Sequence, residues 1–302
     1  MILELAGRRL ELQRGRPLVM GIVNASPESF SDGGQFSNLD AQAERARELV
    51  EQGADLIDVG GESGVTGIAA IDPAEEARRV VPLVERLVGH GIVVSVDTWK
   101  PEVARAVLAA GAAMINDVSG LRDPGLADEC AAAGAALVVM HTRAEPKVKD
   151  FPGYDDVSAD VLEFLRERLE LARSRGVREE QLVVDPGPDF AKTPAETVES
   201  LRSLGTLAEL GRPILLAVSR KDFVGALTGR PPRDRLAGTL AAIGAGADAG
   251  AAIVRVHEVG ATVDYLAVRA ALAGEAGVAA GLRLADGLRV QPANGQRPPT
   301  SP

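Results

Sequence analysis

Short apolar runs recur along this 302-residue chain, and nearly every one ends in a side chain able to bind or titrate. In order, these ends are Asn24, then Asp58 with Glu62 and Ser63, Asp97 with Thr98, Asn116 with Asp117, His141 with Arg143, Asp185, Ser219 with Arg220 and Lys221, and Arg255 with His257. Each has an ordinary explanation when taken singly. Asp97 or Thr98 caps a helix opening at Pro101, Asn116 and Asp117 satisfy a turn, Asp185 belongs to the turn at Pro186-Gly187, and His141 is a hydrogen-bonded rim residue. Their joint occurrence is harder to explain that way, because so many carboxylates, amides and cations are costly to desolvate without a polar ligand. Carboxylates and an asparagine suit a flat heterocycle whose edge offers adjacent N–H donors. Lys221, Arg255 and His257 are able to hold an anion, and the amide oxygen of Asn24 to ligate a hard cation. The three histidines are scattered, no His/Cys/Asp spacing specifies zinc, and no G-x-S-x-G elbow supplies a nucleophile. Group transfer from a heterocycle bearing an anionic leaving group fits this set better than hydrolysis by a protein nucleophile.

Residues so distant in sequence meet only if the fold gathers the ends of their strands. The runs "PLVMGIVN", "ADLIDVGG", "IVVSVDT", "AAMINDVSG", "AALVVMHT", "QLVVDPG", "PILLAVS" and "AAIVRVHE" are continuous rather than alternating, as strands covered on both faces are. Helical patterns lie between them. "DAQAERARELVEQG" stops on Gly53, and "DPAEEARRVVPLVERLVGHG" opens with Asp72 as N-cap and Pro73 at the first helical position. "KPEVARAVLAAG", "SADVLEFLRERLELARSRG", "TPAETVESLRSLGTL" and "RDRLAGTLAAIGAGADAG" follow the same plan. About eight strand–helix units predict an α/β fold of the (β/α)8 TIM barrel type in one domain, with its site at the C-terminal ends of the strands. No G-x-G-x-x-G follows the first strand and no phosphate-binding G-x-x-x-x-G-K-[ST] occurs, which weighs against an open dinucleotide-binding sheet. The expected organisation is a hairpin over 1–17 capping the barrel bottom, the barrel over 18–284, and a Pro-rich flexible tail over 285–302.

A formal charge of -10 argues against a nucleic-acid surface, which needs clustered Lys and Arg. Apolar content of 46% and charged content of 25% describe a globular chain with a sizeable core. The single cysteine, Cys130, sits among alanines and reads as a small helix-face residue; alone it excludes an intramolecular disulfide. No basic-then-apolar leader opens the chain and no apolar run spans a bilayer, so no membrane partner is expected and the expected compartment is the cytoplasm.

At this point the chain resembles the dihydropteroate synthases, a family of pterin-binding (β/α)8 enzymes. "MGIVNASPESFSDGG", "DVGGES", "SVDTWKPEVARAVLAAGAAMINDVSG", "DPG", "SRKDFVGALTGR" and "IVRVH" follow the family's order between Leu18 and Leu272. The resemblance implies condensation of 6-hydroxymethyl-7,8-dihydropterin pyrophosphate with p-aminobenzoate, releasing pyrophosphate. It implies that Asp97, Asn116, Asp185, Lys221 and Arg255 hold the pterin, and that Asn24, Lys221, Arg255 and His257 serve catalysis. Asn24 would place Mg2+ on the pyrophosphate, while Ser63, Phe190, Ser219 and Asp222 would face the second substrate. A homodimer through the last helices is also implied, and "AGTLAAIGAGADAGAA" would allow close helix approach.

The stretch "GGESGVTG" departs from the family, whose second loop reads Glu-Ser-Thr-Arg-Pro-Gly. Gly64 and Val65 stand where Thr and the pyrophosphate-binding Arg are usual. Asp222 replaces a Ser after Ser219-Arg220-Lys221, and Pro188-Asp189 replaces Ile-Gly after Asp185-Pro186-Gly187, while Phe190 and Lys192 remain. Ser26 and Glu28 replace Thr and Asp and keep the hydroxyl and the charge. The expectation is a loop offering only backbone N–H groups and the hydroxyls of Ser63 and Thr66, with Asp189 and Asp222 opposing a benzoate if they face its site. Alternatives to a synthase are a paralogue using another amine, a non-catalytic pterin-binding protein, and the methyltetrahydrofolate-binding methyltransferases; "NASPESFSDGG" and "SRK" favour the synthase over the last.

Overall fold

The computed structural model describes residues 1–13, 15–25, 39–62 and 66–289. A two-stranded antiparallel hairpin comes first, β1 (Ile2–Leu5) and β2 (Arg8–Glu11), turning at Ala6-Gly7. Eight parallel strands follow: β3 (Leu18–Asn24), β4 (Leu56–Gly60), β5 (Val94–Asp97), β6 (Met114–Asp117), β7 (Ala136–Met140), β8 (Leu182–Asp185), β9 (Leu215–Leu216) and β10 (Ile253–Val256). Their order is β8-β7-β6-β5-β4-β3-β10-β9. A single parallel bridge, Val184 to Ile214, brings β8 back beside β9 and closes the barrel; there the Val184 N–H donates to the Pro213 carbonyl at 3.0 Å.

Nine α-helices among the described residues surround the barrel: α1 (Leu39–Glu51), α2 (Pro73–Gly89), α3 (Pro101–Ala109), α4 (Gly125–Ala133), α5 (Val157–Ser174), α6 (Pro194–Arg202), α7 (Asp222–Thr228), α8 (Leu236–Asp248) and α9 (Val259–Leu272). The sequence signals explain their starts. Asp72 caps α2 by accepting the Ala74 N–H at 2.9 Å, with Pro73 in the first turn. Thr193 and Glu196 form a capping box on α6. Helices α4, α7 and α9 add to the six the sequence pattern marks; α7 is only seven residues long, and the alanines of α4 give little apolar-polar contrast. None of the described helices is long and apolar enough to cross a membrane.

The core has two parts. Outward residues such as Val59, Val96, Leu137 and Val256 pack against the helices in one large cluster. Inward residues Met20, Leu56, Met114, Val183, Leu215 and Ile253 form a second cluster, plugged by Leu3, Leu5 and Leu12 at the hairpin end. Side chains alternate along a strand, so the residue two positions further on points inward again, one layer higher. That step leads from Leu56 to Asp58, from Met114 to Asn116, from Val183 to Asp185 and from Ile253 to Arg255. The layer above the apolar plug is therefore polar.

Candidate active site

Arg255 is the hub of this layer. Its Nε donates to Asp58 Oδ2 at 2.6 Å and its Nη2 to Asp97 Oδ2 at 3.0 Å, while Asn116 Nδ2 donates to the same Asp58 oxygen at 3.2 Å. Burial pushes the Asp97 carboxyl up to about 7; Arg255 opposes the shift, and the like charge of Asp58 adds to it. Burial likewise pushes Asp185 up to about 6, against the Gly187 N–H that its Oδ1 accepts at 2.7 Å and the nearby charge of Lys221. Lys221 is itself pushed down by burial, resisted by Asp189 and Asp185. Three carboxylates and an amide face a common interior with two cations, a set able to meet a row of ring N–H donors and a carbonyl.

The structure separates residues that looked alike in the sequence. Asp117 is spent on a turn, accepting the N–H groups of Ser119 and Leu121 at 2.7 and 2.5 Å, whereas its neighbour Asn116 reaches across the barrel to Asp58. Thr98 accepts the Lys100 N–H, but Asp97 caps nothing and pairs with Arg255. His141 is fully buried behind the wall rather than on the rim. Its Nδ1 lies 2.7 Å from Lys192 Nζ and its Nε2 2.9 Å from Asp160. His257 is pushed down to about 3 by burial and by Arg220 and Arg255, so its imidazole is neutral. Ser219 Oγ accepts the His257 backbone N–H at 3.2 Å and lies 2.9 Å from His257 Nδ1.

Above the polar layer opens a cavity of about 390 Å³, walled on one side by Phe190, Lys221 and Asp222 and on the other by Glu62, Thr66 and the 144–151 stretch. Lys221 Nζ sits 4.2 Å from the Phe190 ring centre, a cation–π contact. Lys192, 1% exposed, supports that wall from behind through the carbonyls of Gly187 (3.0 Å) and Phe190 (3.2 Å). Gly187 is required there: its φ is 64°, and a Cβ would collide with the His141 carbonyl.

The glycine-rich stretch after β4 serves packing and anchoring where it is described. A Cβ on Gly61 would lie 2.6 Å from Val80 and 2.9 Å from Glu76, so this glycine allows α2 to approach. Glu62 is gripped by Lys100 at 2.8 Å and Lys147 at 3.1 Å, and Lys100 also holds Glu76 at 2.6 Å. Ser26, Glu28, Ser63, Gly64 and Val65 lie outside the described residues. Asp222 lines the cavity, yet its side chain is 67% exposed and meets Arg235 at 3.1 Å. Asp189 does not present a spare carboxylate to the cavity: Oδ2 accepts the N–H groups of Asp222 and Phe223, and Oδ1 the Thr197 hydroxyl.

Asn24 ends β3 half-buried, its Oδ1 beside Gly60 on the side where Asp97 also stands. No group of three His, Cys, Asp or Glu gathers as metal ligands among the described residues. A lone amide oxygen at the mouth suits a magnesium ion that arrives with phosphate oxygens and keeps its waters, rather than one caged by protein.

Strand-end reasoning alone passes over Asp58 as a partner of Arg255, and over Lys192, Lys100 and Lys147. The inward period from Leu56 marks Asp58. Nothing in "PDFAKTPAE" marks Lys192 as buried.

A parallel barrel with this polar layer beneath a cationic, aromatic wall defines a barrel enzyme for a flat, polar heterocycle. The family of pterin binding enzymes matches residues 20–257. Dihydropteroate synthase of Bacillus subtilis (strain 168) is 41% identical over 246 residues, 81% of this chain and 84% of its own. The solved Xanthomonas albilineans dihydropteroate synthase with 4-aminobenzoic acid is 48% identical at a TM-score of 0.83, covering 90% of this chain and 98% of that one. The same organism's enzyme in complex with 7,8-dihydropteroate is 46% identical at a TM-score of 0.81, covering 90% and 99%. The chain belongs to the pterin-binding enzymes and, within them, to the dihydropteroate synthase family of transferases.

Proposed function

We propose that this protein condenses 6-hydroxymethyl-7,8-dihydropterin pyrophosphate with p-aminobenzoate to give dihydropteroate and pyrophosphate, a step of folate biosynthesis. The observation that carries the proposal is the Arg255–Asp58–Asn116–Asp97 network beside Asp185 and Lys221, on a chain that falls in this family. Asp185, once ionised, accepts two pterin N–H bonds, Asn116 and Asp97 complete the edge, and the guanidinium of Arg255 lies against the ring face. The arylamine nitrogen forms a bond to the pterin methylene as the bond to pyrophosphate oxygen breaks. The departing oxygens carry the electron pair, and the amine proton leaves to solvent or pyrophosphate. His257, Arg255 and Lys221 are the donors for the developing charge. A Mg2+ held through Asn24 and the pyrophosphate oxygens would add Lewis-acid stabilisation of the leaving group. A neutral arylamine needs no strong base, in keeping with a wall that offers none.

Phe190 and Lys221 would flank the aminobenzoate, with Ser63, Ser219 and Asp222 near its carboxylate end. We also infer a cytoplasmic homodimer. Its support is an apolar groove between α6, α7 and α8, where Leu227 is 70% exposed. The test of function is product formation from the pterin pyrophosphate, Mg2+ and p-aminobenzoate; release of dihydropteroate with equimolar pyrophosphate is expected. Pterin binding without turnover across a panel of amines would defeat the proposal.

A further inference from the structure

Resting on the synthase reading above, we infer that Asp189 is a positioning residue, whose carboxylate locks the loop carrying Phe190 to the segment carrying Lys221 and so fixes the wall of the cavity. The loop from Gly187 to Lys192 is unusual in its backbone. Gly187, Asp189 and Ala191 all have positive φ, at 64°, 64° and 52°, and two of the three carry a Cβ. Non-glycine residues in this region are disfavoured, aspartate less than most, and persist where their surroundings over-determine them. Here the surroundings do so on two sides.

Behind the loop, Lys192 Nζ donates to the Gly187 and Phe190 carbonyls. On its flank stands Asp189. Its N–H donates to Thr197 Oγ1 at 3.1 Å, and the Thr197 hydroxyl returns a bond to Asp189 Oδ1 at 3.1 Å. Thr197 is fully buried on α6, a rigid anchor. The other oxygen, Oδ2, accepts the N–H groups of Asp222 and Phe223, the latter at 3.3 Å. Phe190 follows Asp189 directly, and Lys221 precedes Asp222. One carboxylate in the cavity wall therefore holds both partners of the Lys221–Phe190 contact. Arg235 completes the hold by donating to the Arg220 and Lys221 carbonyls at 2.8 and 3.0 Å. The charge that Asp189 adds to this chain is spent on donors in the wall, where a glycine would leave the two segments to find their own spacing.

The opposite account is that Asp189 acts as a charge that repels a benzoate. The two accounts predict opposite signs. Steady-state kinetics of the full chain, with the pterin pyrophosphate, Mg2+ and p-aminobenzoate at low and high salt, separate them. Asp189→Gly takes the φ of 64° without strain, so it should fold with a melting temperature near that of the parent. If the bracket positions the wall, Asp189→Gly lowers kcat/KM for the pterin pyrophosphate about tenfold or more at both salt concentrations. Asp189→Asn, which keeps an acceptor for the Asp222 and Phe223 N–H groups, restores it to within about threefold of the parent. Should the glycine variant fail to fold, Thr197→Val carries the test: a several-fold loss supports the bracket, and parental kinetics overturn it. A glycine variant with a lower, salt-sensitive KM for p-aminobenzoate also overturns it, as does one with unchanged kinetics. Absence of product with the parent protein would instead defeat the synthase reading. Calorimetry with the pterin pyrophosphate alone then decides, weaker binding by Asp189→Gly supporting the bracket and equal binding overturning it.

Discussion

The floor and the rim of the cavity are built by different rules. On the floor, Asp58, Asp97, Asn116, Asp185 and Arg255 come from five strands and point inward because strand alternation requires it. The rim comes from the turns after β4, β7, β8 and β9, and side chains with no direct part in the chemistry hold it: Glu62, Lys192, Asp189 and Arg235. Among the described residues, the departures of this chain at its second-substrate side, Pro188, Asp189 and Asp222, fall in the rim. The floor keeps the motif residues. A barrel can thus alter what it presents to a second substrate without disturbing the layer that meets the first.

The contrast breaks first at Arg255. Asp58 is fully buried and shares this guanidinium with Asp97, so Arg255→Met leaves a carboxylate pair uncompensated. Breaking a buried pair costs roughly 3–5 kcal/mol; urea unfolding should show a loss of that size, whereas rim variants should lie near the parent. Second comes Asp185. Asp185→Ala should weaken calorimetric pterin binding by roughly 1.5–3 kcal/mol per charged hydrogen bond lost. In the unsubstituted protein the same group gives a pH signature. Its pKa stands at about 6 against an ordinary 3.8, and ring N–H donors require the ionised form. Pterin affinity should therefore rise with pH through about 6, and Asp185→Ala should flatten that step. Without ligand the sign reverses, because a raised carboxyl pKa lends stability below 3.8 that is lost as pH climbs through about 6. The smallest effects belong to changes of single charges. Val65→Arg, restoring an anion partner, should lower the KM for the pterin pyrophosphate up to about tenfold. Asp222→Ser, at an exposed carboxylate already facing Arg235, should change the KM for p-aminobenzoate only slightly and less at high salt. If Asp222→Ser outweighs Arg255→Met, the division between floor and rim is misdrawn.

What was legible in the sequence follows the same division. The continuous apolar runs gave the barrel and its strand ends, since a strand buried on both faces leaves no polar alternation to misread. Asp97, Asn116, Asp185 and Arg255 were readable as site residues because each terminates such a run. Asp117 and Asn116 are adjacent and chemically alike, and only the chain path after β6 decides that one serves a turn and the other the site. Lys192 lies between Ala191 and a capping Thr193, an ordinary setting for a surface lysine, and its burial depends on His141 and the Phe190 carbonyl brought in from elsewhere. Asp189 read as an added negative charge. Its actual role depends on backbone amides more than thirty positions away, which no local pattern encodes.

The closure of the barrel has a consequence of its own. Seven of the eight joints between neighbouring strands are ladders, and the eighth, between β8 and β9, is the single Val184–Ile214 bridge beside a strand of two residues. A hoop opens at its thinnest joint, and local opening begins where backbone hydrogen bonds are fewest. The amide of Val184 should therefore exchange with deuterium ahead of its β7-facing neighbours. The residues that leave this seam on either side are Asp185 and, after β9, Ser219 to Lys221. Breathing of the hoop would move the two halves of the pterin pocket apart, and a bound pterin spanning them would act as the missing staple.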